Sequence, residues 1–195
     1  MSQASLIPIL LFVAALASAG IAVWRGPRPI DRSFVIDRLL RYLFIFPLGL
    51  QGLWAFVGHT VFGEEAAREI GWADTPFQYE VGVANLGLAF ASLYAAFRGF
   101  EARMAAALAA GCFLAGAGII HIRDIALTGN LAPGNAGAIM ITDFLTPIAV
   151  FVLLFLSTQA WRPKSPATLA LEAELKVARE ALRTYRSALE DLGKD

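Results

Sequence analysis

The stretch SLIPILLFVAALASAGIAVW, residues 5–24, contains no charged side chain. An apolar run of about 18 residues or more is typical of a helix that crosses a lipid bilayer. Four further runs of comparable length lie at residues 39–62, 78–98, 104–125 and 138–160. The chain of 195 residues is 57% hydrophobic and 16% charged, whereas about a quarter of the residues in soluble domains are charged. We therefore predict an all-α integral membrane protein with five transmembrane helices.

The composition predicts three parts. Residues 1–38 form an N-terminal transmembrane helix with a basic loop, residues 39–162 a four-helix membrane core, and residues 163–195 a cytoplasmic amphipathic helix. No basic tract suggests nucleic acid as a partner. The single cysteine, Cys112, lies in an apolar run, so no disulfide forms within the chain. We expect it to be a buried small hydrophobe.

The loop charges predict an orientation in the membrane. Residues 25–41, 98–103 and 162–164 are rich in arginine and lysine, whereas residues 63–74 are mainly acidic and residues 123–137 pair one arginine with one aspartate. Positive loops stay in the cytoplasm. The first run lacks the positive leading region of a signal peptide, so we take it as a retained helix. These features predict a bacterial inner-membrane protein with its N-terminus outside and its C-terminus in the cytoplasm.

The tail carries a heptad pattern. Apolar residues recur there at alternating spacings of four and three, at Leu171, Leu175, Ala178, Leu182, Tyr185, Leu189 and Leu192. Such a seam is typical of a coiled coil, and about three heptads are the minimum for one. It predicts a homo-oligomer formed through residues 166–192. The alternative is an amphipathic helix that docks on the membrane surface or on the protein's own loops.

Polar residues gather at the predicted outer ends of the last four spans. They are His59 at the end of the second span, Gln78 and Glu80 at the start of the third, His121 near the end of the fourth, and Asp143 near the start of the fifth. His59, His121 and Glu80 each share a helix face with small residues, which for Glu80 are Ala84, Gly87 and Ala91. Small residues mark the packed side of a membrane helix, so we expect these three side chains to point into the bundle.

Imidazoles and carboxylates together form the donor set that binds divalent transition metals. The candidate ligands of such a metal, or of a small polar molecule, are His59, Glu80, His121 and Asp143. The candidate residues behind them are Gln78, Asn85, Asp124 and Asn135. Structural roles are the alternative: Glu80 as a helix cap, Asp143 bonded to free amides at a helix start, and each histidine as a hydrogen-bonded interfacial residue. No HExxH or ExxH motif is present, and the pattern predicts no particular reaction.

Two other functions remain open. His59 and His121, on different helices at similar depth, suit the two axial ligands of a b-type haem. Alternatively, the protein is a non-catalytic assembly factor, a subunit of a larger membrane complex, or a scaffold whose tail recruits a cytoplasmic partner. The polar cluster would then stabilise the fold.

Several motifs follow one another in a characteristic order: GHTVF (58–62), IGWADTPFQYEVGVANLG (70–87), HIRDIALTGNLAPGNAG (121–137) and TDFLTP (142–147). In these motifs the chain resembles a family of small bacterial membrane proteins known only as a domain of unknown function. Thr75, Ile120 and Leu131 depart from that family's usual residues.

The resemblance covers roughly residues 40–150 and implies a four-helix membrane core. It also implies that seven residues occupy signature positions of the family: His59, Gln78, Glu80, Asn85, His121, Asn135 and Asp143. It implies no activity.

Overall fold

A computed structural model describes residues 3–160 and 166–192 of the chain. Every element within these ranges is a helix, which confirms the all-α prediction for the described residues. The chain divides into one unit of residues 1–160 and a second of residues 161–195.

The first unit begins with α1 (Gln3–Trp24). A longer helical rod follows, made of α2 (Arg32–Leu43), a π-helical segment (Phe44–Leu50) and α3 (Gln51–Thr60). Pro47 lies inside the π-helical segment. Proline has no backbone N–H and clashes with the preceding turn, and wider π turns accommodate such interruptions.

The rest of the unit alternates short and long helices. The short amphipathic helix α4 (Gly63–Ile70) leads to α5 (Pro76–Ala95), and α6 (Phe100–Thr128) follows. The single turn α7 (Pro133–Ala136) then connects α6 to α8 (Ala138–Ala160).

Among the described residues, four helices are long and apolar enough to cross a membrane: Leu6–Trp24, Arg32–Thr60, Phe100–Thr128 and Pro133–Thr158. The remaining predicted span, α5, has 20 residues, but the polar residues in its first half lower its hydropathy. The protein therefore has the helices of a membrane protein, and the count of five spans stays a prediction.

The helices pack tightly at one end of the unit. α3 packs on α5, and α6 packs on α8. A cluster of buried apolar side chains joins α5, α6 and α8 to α2 and the π-helical segment, and it includes Leu40, Phe44, Ala95, Ala106 and Leu154. Ala95 ends α5 and Ala106 lies near the start of α6, so this core occupies the end opposite to the predicted polar residues.

An arginine closes this packed end. Arg103 on α6 is buried, and its guanidinium lies 2.9 Å from Asp37 on α2. It also donates hydrogen bonds to the backbone carbonyls of Ala95 and Ala96 at the end of α5. Helix-terminal carbonyls lack partners within the helix, and a basic side chain satisfies them. Arg103 therefore ties three helices together.

The face of α5 that packs differs from the predicted one. Its buried residues are Gln78, Gly82, Asn85, Ala89, Ser92 and Ala95. A Cβ at Gly82 would lie 2.5 Å from the Thr60 methyl carbon, whereas a Cβ at Gly87 would meet no described atom within 4 Å. The predicted packing stripe through Ala84, Gly87 and Ala91 is thus wrong: these residues are exposed.

The second unit contains α9 (Pro166–Leu192). Its apolar residues Leu171, Leu175, Leu182 and Tyr185 are exposed. Residues 166–192 are thus helical, and the amphipathic character and self-association of this segment stay predictions. The side chains of Leu189 and Leu192 lie outside the described ones.

Candidate functional site

A cavity of about 530 Å³ separates the α3–α5 pair from the α6–α8 pair at the polar end of the unit. Five predicted site residues line it: His59, Gln78, Asn85, His121 and Asp143. Most of the remaining lining is apolar, with side chains such as Leu88, Phe113 and Ile139. The structure therefore brings polar groups of four helices to one largely apolar chamber.

The ring of His121 is held in a fixed orientation. Its Nδ1 lies 2.7 Å from Oδ1 of Asn135, and the Asn135 amide nitrogen donates to the carbonyl of Asn130 at 2.8 Å. An amide oxygen only accepts hydrogen bonds, so Nδ1 of His121 carries a proton. Its Nε2 lies 4.0 Å from Oδ2 of Asp143. The imidazole of His121 and the carboxyl group of Asp143 are both buried.

His59 is held in a similar way. Its Nδ1 lies 2.7 Å from Oε1 of Gln78, which is buried at the start of α5. The amide oxygen accepts and the ring nitrogen donates, which leaves Nε2 free to accept a hydrogen bond. In both imidazoles, Nδ1 thus makes the hydrogen bond that fixes the ring.

Trp72 covers the imidazole of His121. Its indole ring is stacked on the His121 imidazole, with ring centroids 5.4 Å apart, and its Nε1 donates to Oδ2 of Asp124 at 2.9 Å. Asn130 donates to the same carboxylate oxygen and to the carbonyl of Ile70. Asp124 therefore fixes the loop that carries Trp72.

Two side chains are oriented otherwise than predicted. Glu80 is exposed and does not line the cavity, because it belongs to the α5 face opposite to Gly82. The inward orientation expected for Glu80 is wrong. Cys112 is exposed as well, so its expected burial is also wrong. The Cys112 side chain lines the cavity.

The structure places a different glutamate near the histidines. A side chamber of about 210 Å³ adjoins the main cavity, and Glu69 on α4 lines it together with His59. The charge pattern of the sequence does not single out Glu69, because it identifies the acidic segment 63–74 only as a loop. The spacing of Glu65 and Glu69, one helical turn apart, was the available signal.

The donor groups do not form a metal-binding set in this arrangement. Within residues 3–160 and 166–192, no three histidine, cysteine or acidic side chains lie together as ligands of one ion. A structural or catalytic transition-metal site uses at least three such protein ligands.

The family model for a family of unknown function, DUF6790, matches residues 5–163. The chain belongs to this family. The expected resemblance to an uncharacterised family is confirmed, and the match also covers the N-terminal helix, which lies outside the compared motifs. No curated protein matches the chain, and no solved structure matches it. Membership of DUF6790 therefore assigns no activity to the chain.

Proposed function

We propose that this DUF6790 protein binds a small amphipathic molecule inside the membrane, with its apolar body in the main cavity and its polar head beside His59. The observation that carries the proposal is that His59 and His121 line one chamber of about 530 Å³ with mostly apolar walls. Ligand sites in proteins are commonly cavities of about 300–1,000 Å³ with apolar walls and a few fixed polar groups.

The polar groups are already oriented for a ligand. The hydrogen bonds to Gln78 and Asn135 hold both imidazoles in place. Ligand binding therefore costs little conformational entropy for ordering these two side chains. The Nε2 atom of His59 accepts from a ligand hydroxyl or ammonium group. The predicted topology places this end of the bundle on the extracytoplasmic side.

A metal is less well supported. Glu80 was expected to supply a ligand but is exposed, and the remaining groups do not meet as a set of three. Elemental analysis of the purified protein beside the His59→Ala/His121→Ala double variant tests the metal directly. A visible absorption spectrum of the same samples tests the b-type haem.

The proposal is tested with 1-octanol as the probe. The protein is reconstituted in nanodiscs of zwitterionic lipid, and tryptophan fluorescence is followed during titration, because Trp54 and Trp72 line the cavity. Empty nanodiscs give the signal of octanol in lipid alone. We expect saturable binding, and its absence would contradict the proposal.

The structure supplies a matched pair of variants. Gly116 lines the cavity, and a Cβ there would meet no described atom within 4 Å, so Gly116→Leu has room at its Cβ and fills part of the chamber. Gly87 has equal space but does not line the cavity. We expect Gly116→Leu to weaken octanol binding about tenfold, equivalent to about 1.4 kcal/mol, and Gly87→Leu to leave it unchanged.

We also propose that α9 pairs with a second copy of itself. Its apolar positions Leu171, Leu175 and Leu182 are exposed in the chain. Two copies inserted in the same orientation present parallel tails, and Glu174 then faces Arg179 of the other copy across the heptad seam. Crosslinking of the full chain and of a chain that ends at Arg162 tests this; equal dimer yields would contradict it.

A further inference from the structure

A carboxylate in the side chamber has one oxygen without a hydrogen-bond partner among the described residues. One carboxylate oxygen of Glu69, Oε2, is buried and has no hydrogen-bond partner in the part of the chain that the structure describes. A buried acceptor left without a donor costs about 1–3 kcal/mol, and more when it is charged. A ligand that carries a hydrogen-bond donor, and above all a positive charge, relieves this cost.

The charges around the chamber favour a cation. Glu65 lines it beside Glu69, and no lysine or arginine of the described chain does so. The nearby Arg68 is turned away and lies 3.2 Å from Glu64. The two carboxylates therefore favour a positive charge in the chamber, and no described lysine or arginine in its lining offsets them.

The remaining walls favour an organic cation over a bare metal ion. Trp54 and Phe62 line the chamber, and aromatic faces attract ammonium groups. A metal ion would need further acidic, histidine or cysteine ligands, and the described residues do not assemble three of them. An alkylammonium group instead combines a charge for Glu69 with apolar surface for the aromatic rings.

We propose that the side chamber binds the ammonium head of an amphipathic amine whose apolar body occupies the main cavity. The chambers adjoin each other, since His59, Ile70 and Gly134 line both. This inference rests on the proposed function and names its ligand class: a membrane-soluble molecule that carries a primary or quaternary ammonium group.

The test compares n-octylammonium with 1-octanol, which have the same chain length and differ in the charge of the head group. Both are titrated into the nanodisc-embedded protein, and the signal of empty zwitterionic nanodiscs is subtracted. We expect octylammonium to bind about tenfold more tightly than octanol, because a hydrogen bond to a charged group contributes more than one between neutral groups.

Three variants locate the effect. Glu69→Gln removes the charge and keeps the shape, so it should abolish the preference for octylammonium while octanol still binds. Gly58 lines the side chamber, and a Cβ there would meet no described atom within 4 Å. Gly58→Leu should therefore also abolish the preference. Glu64→Gln, on the same helix but outside the chamber lining, should retain it.

The outcomes separate this inference from the proposed function. Equal affinity of the two probes, or a preference that survives in Glu69→Gln, would overturn the ammonium site and leave octanol binding in place. Failure of both probes to bind would contradict the proposed function itself. Octanol binding to Glu69→Gln also shows that this variant is folded.

Discussion

Asn135 holds the imidazole of His121 through a hydrogen bond of 2.7 Å between Oδ1 and Nδ1. Asn135 is completely buried, and its own amide group is fixed by the carbonyl of Asn130. The short APGNAG turn (132–137) therefore orients a histidine of the cavity. The turn is part of the site because it sets which nitrogen of His121 carries the proton.

Replacing Asn135 should destabilise the protein. In Asn135→Ala, the buried Nδ1–H of His121 loses its acceptor, at a cost of about 1–3 kcal/mol. Asn85→Ala is the matched control, because the Asn85 amide donates only to Val81 of its own helix. Thermal unfolding followed by circular dichroism should show a larger fall in Tm for Asn135→Ala. Equal losses would contradict the role given to Asn135.

Two glycines on α5 should respond in opposite ways to alanine. A Cβ at Gly82 would lie 2.5 Å from the Thr60 methyl carbon and 3.2 Å from Cβ of His59. Overpacking of this kind costs about 1–3 kcal/mol. Gly87 has open space, and alanine there should be neutral or stabilising by up to about 1 kcal/mol, because alanine favours helices. The free energy of unfolding of both variants checks this; a stabilising Gly82→Ala would mean that α5 packs through another face.

Arg103 should matter for stability far more than Arg98, an exposed arginine near this end of the bundle. Arg103→Met leaves Asp37 without its closest buried partner and two carbonyls of α5 without a donor. Removing one partner of a buried ion pair costs about 3–5 kcal/mol when the other charge is left unpaired. Asp37 is partly exposed and keeps Arg38 at 2.9 Å and Arg41 at 3.7 Å, so we expect a loss below that range. Arg98 is exposed and lies over the ring of Tyr94. Arg98→Met should therefore change the Tm little, and similar losses in the two variants would contradict the account.

Cys112 offers a chemical probe of the cavity. It is the single cysteine of the chain and lines the main chamber, so at most one label attaches per chain. We expect saturating 1-octanol to slow the reaction of Cys112 with N-ethylmaleimide, measured by intact mass. Gly116→Leu should slow the reaction without octanol. If neither octanol nor Gly116→Leu alters the alkylation rate of Cys112, octanol does not enter this chamber.

The sequence predicted the long helices well because their length and apolar composition are local properties. The predicted run 138–160 coincides with α8. The sequence did not predict correctly which face of α5 packs against the other helices, because α5 has small residues along two different faces. The stripe with Gly82 and Ala89 packs, and the stripe with Gly87 is exposed. Glu80 lies on the exposed face, so the wrong prediction of the packed face also made its expected inward orientation wrong.

The sequence predicted only some of the residues that line the cavity, because some of them reach it through tertiary contacts. His59, His121 and Asp143 lie on long helices, whose ends are fixed by the topology. Glu69 and Trp72 reach the cavity because a short helix and a loop fold back over it, which is a tertiary property. Close approach of Gly134 to the backbone of Glu69, at 2.8 Å for a Cβ built there, shows how tightly those segments fit.

The most direct test of the central claim is photocrosslinking with an octanol that carries a diazirine, followed by mass spectrometry of the peptides. The account predicts labels on cavity-lining residues such as Leu88, Phe113 and Ile139, and their loss in Gly116→Leu or in an excess of plain octanol. Labels confined to exposed positions such as Phe90 and Phe155, unchanged by either competitor or variant, would contradict it.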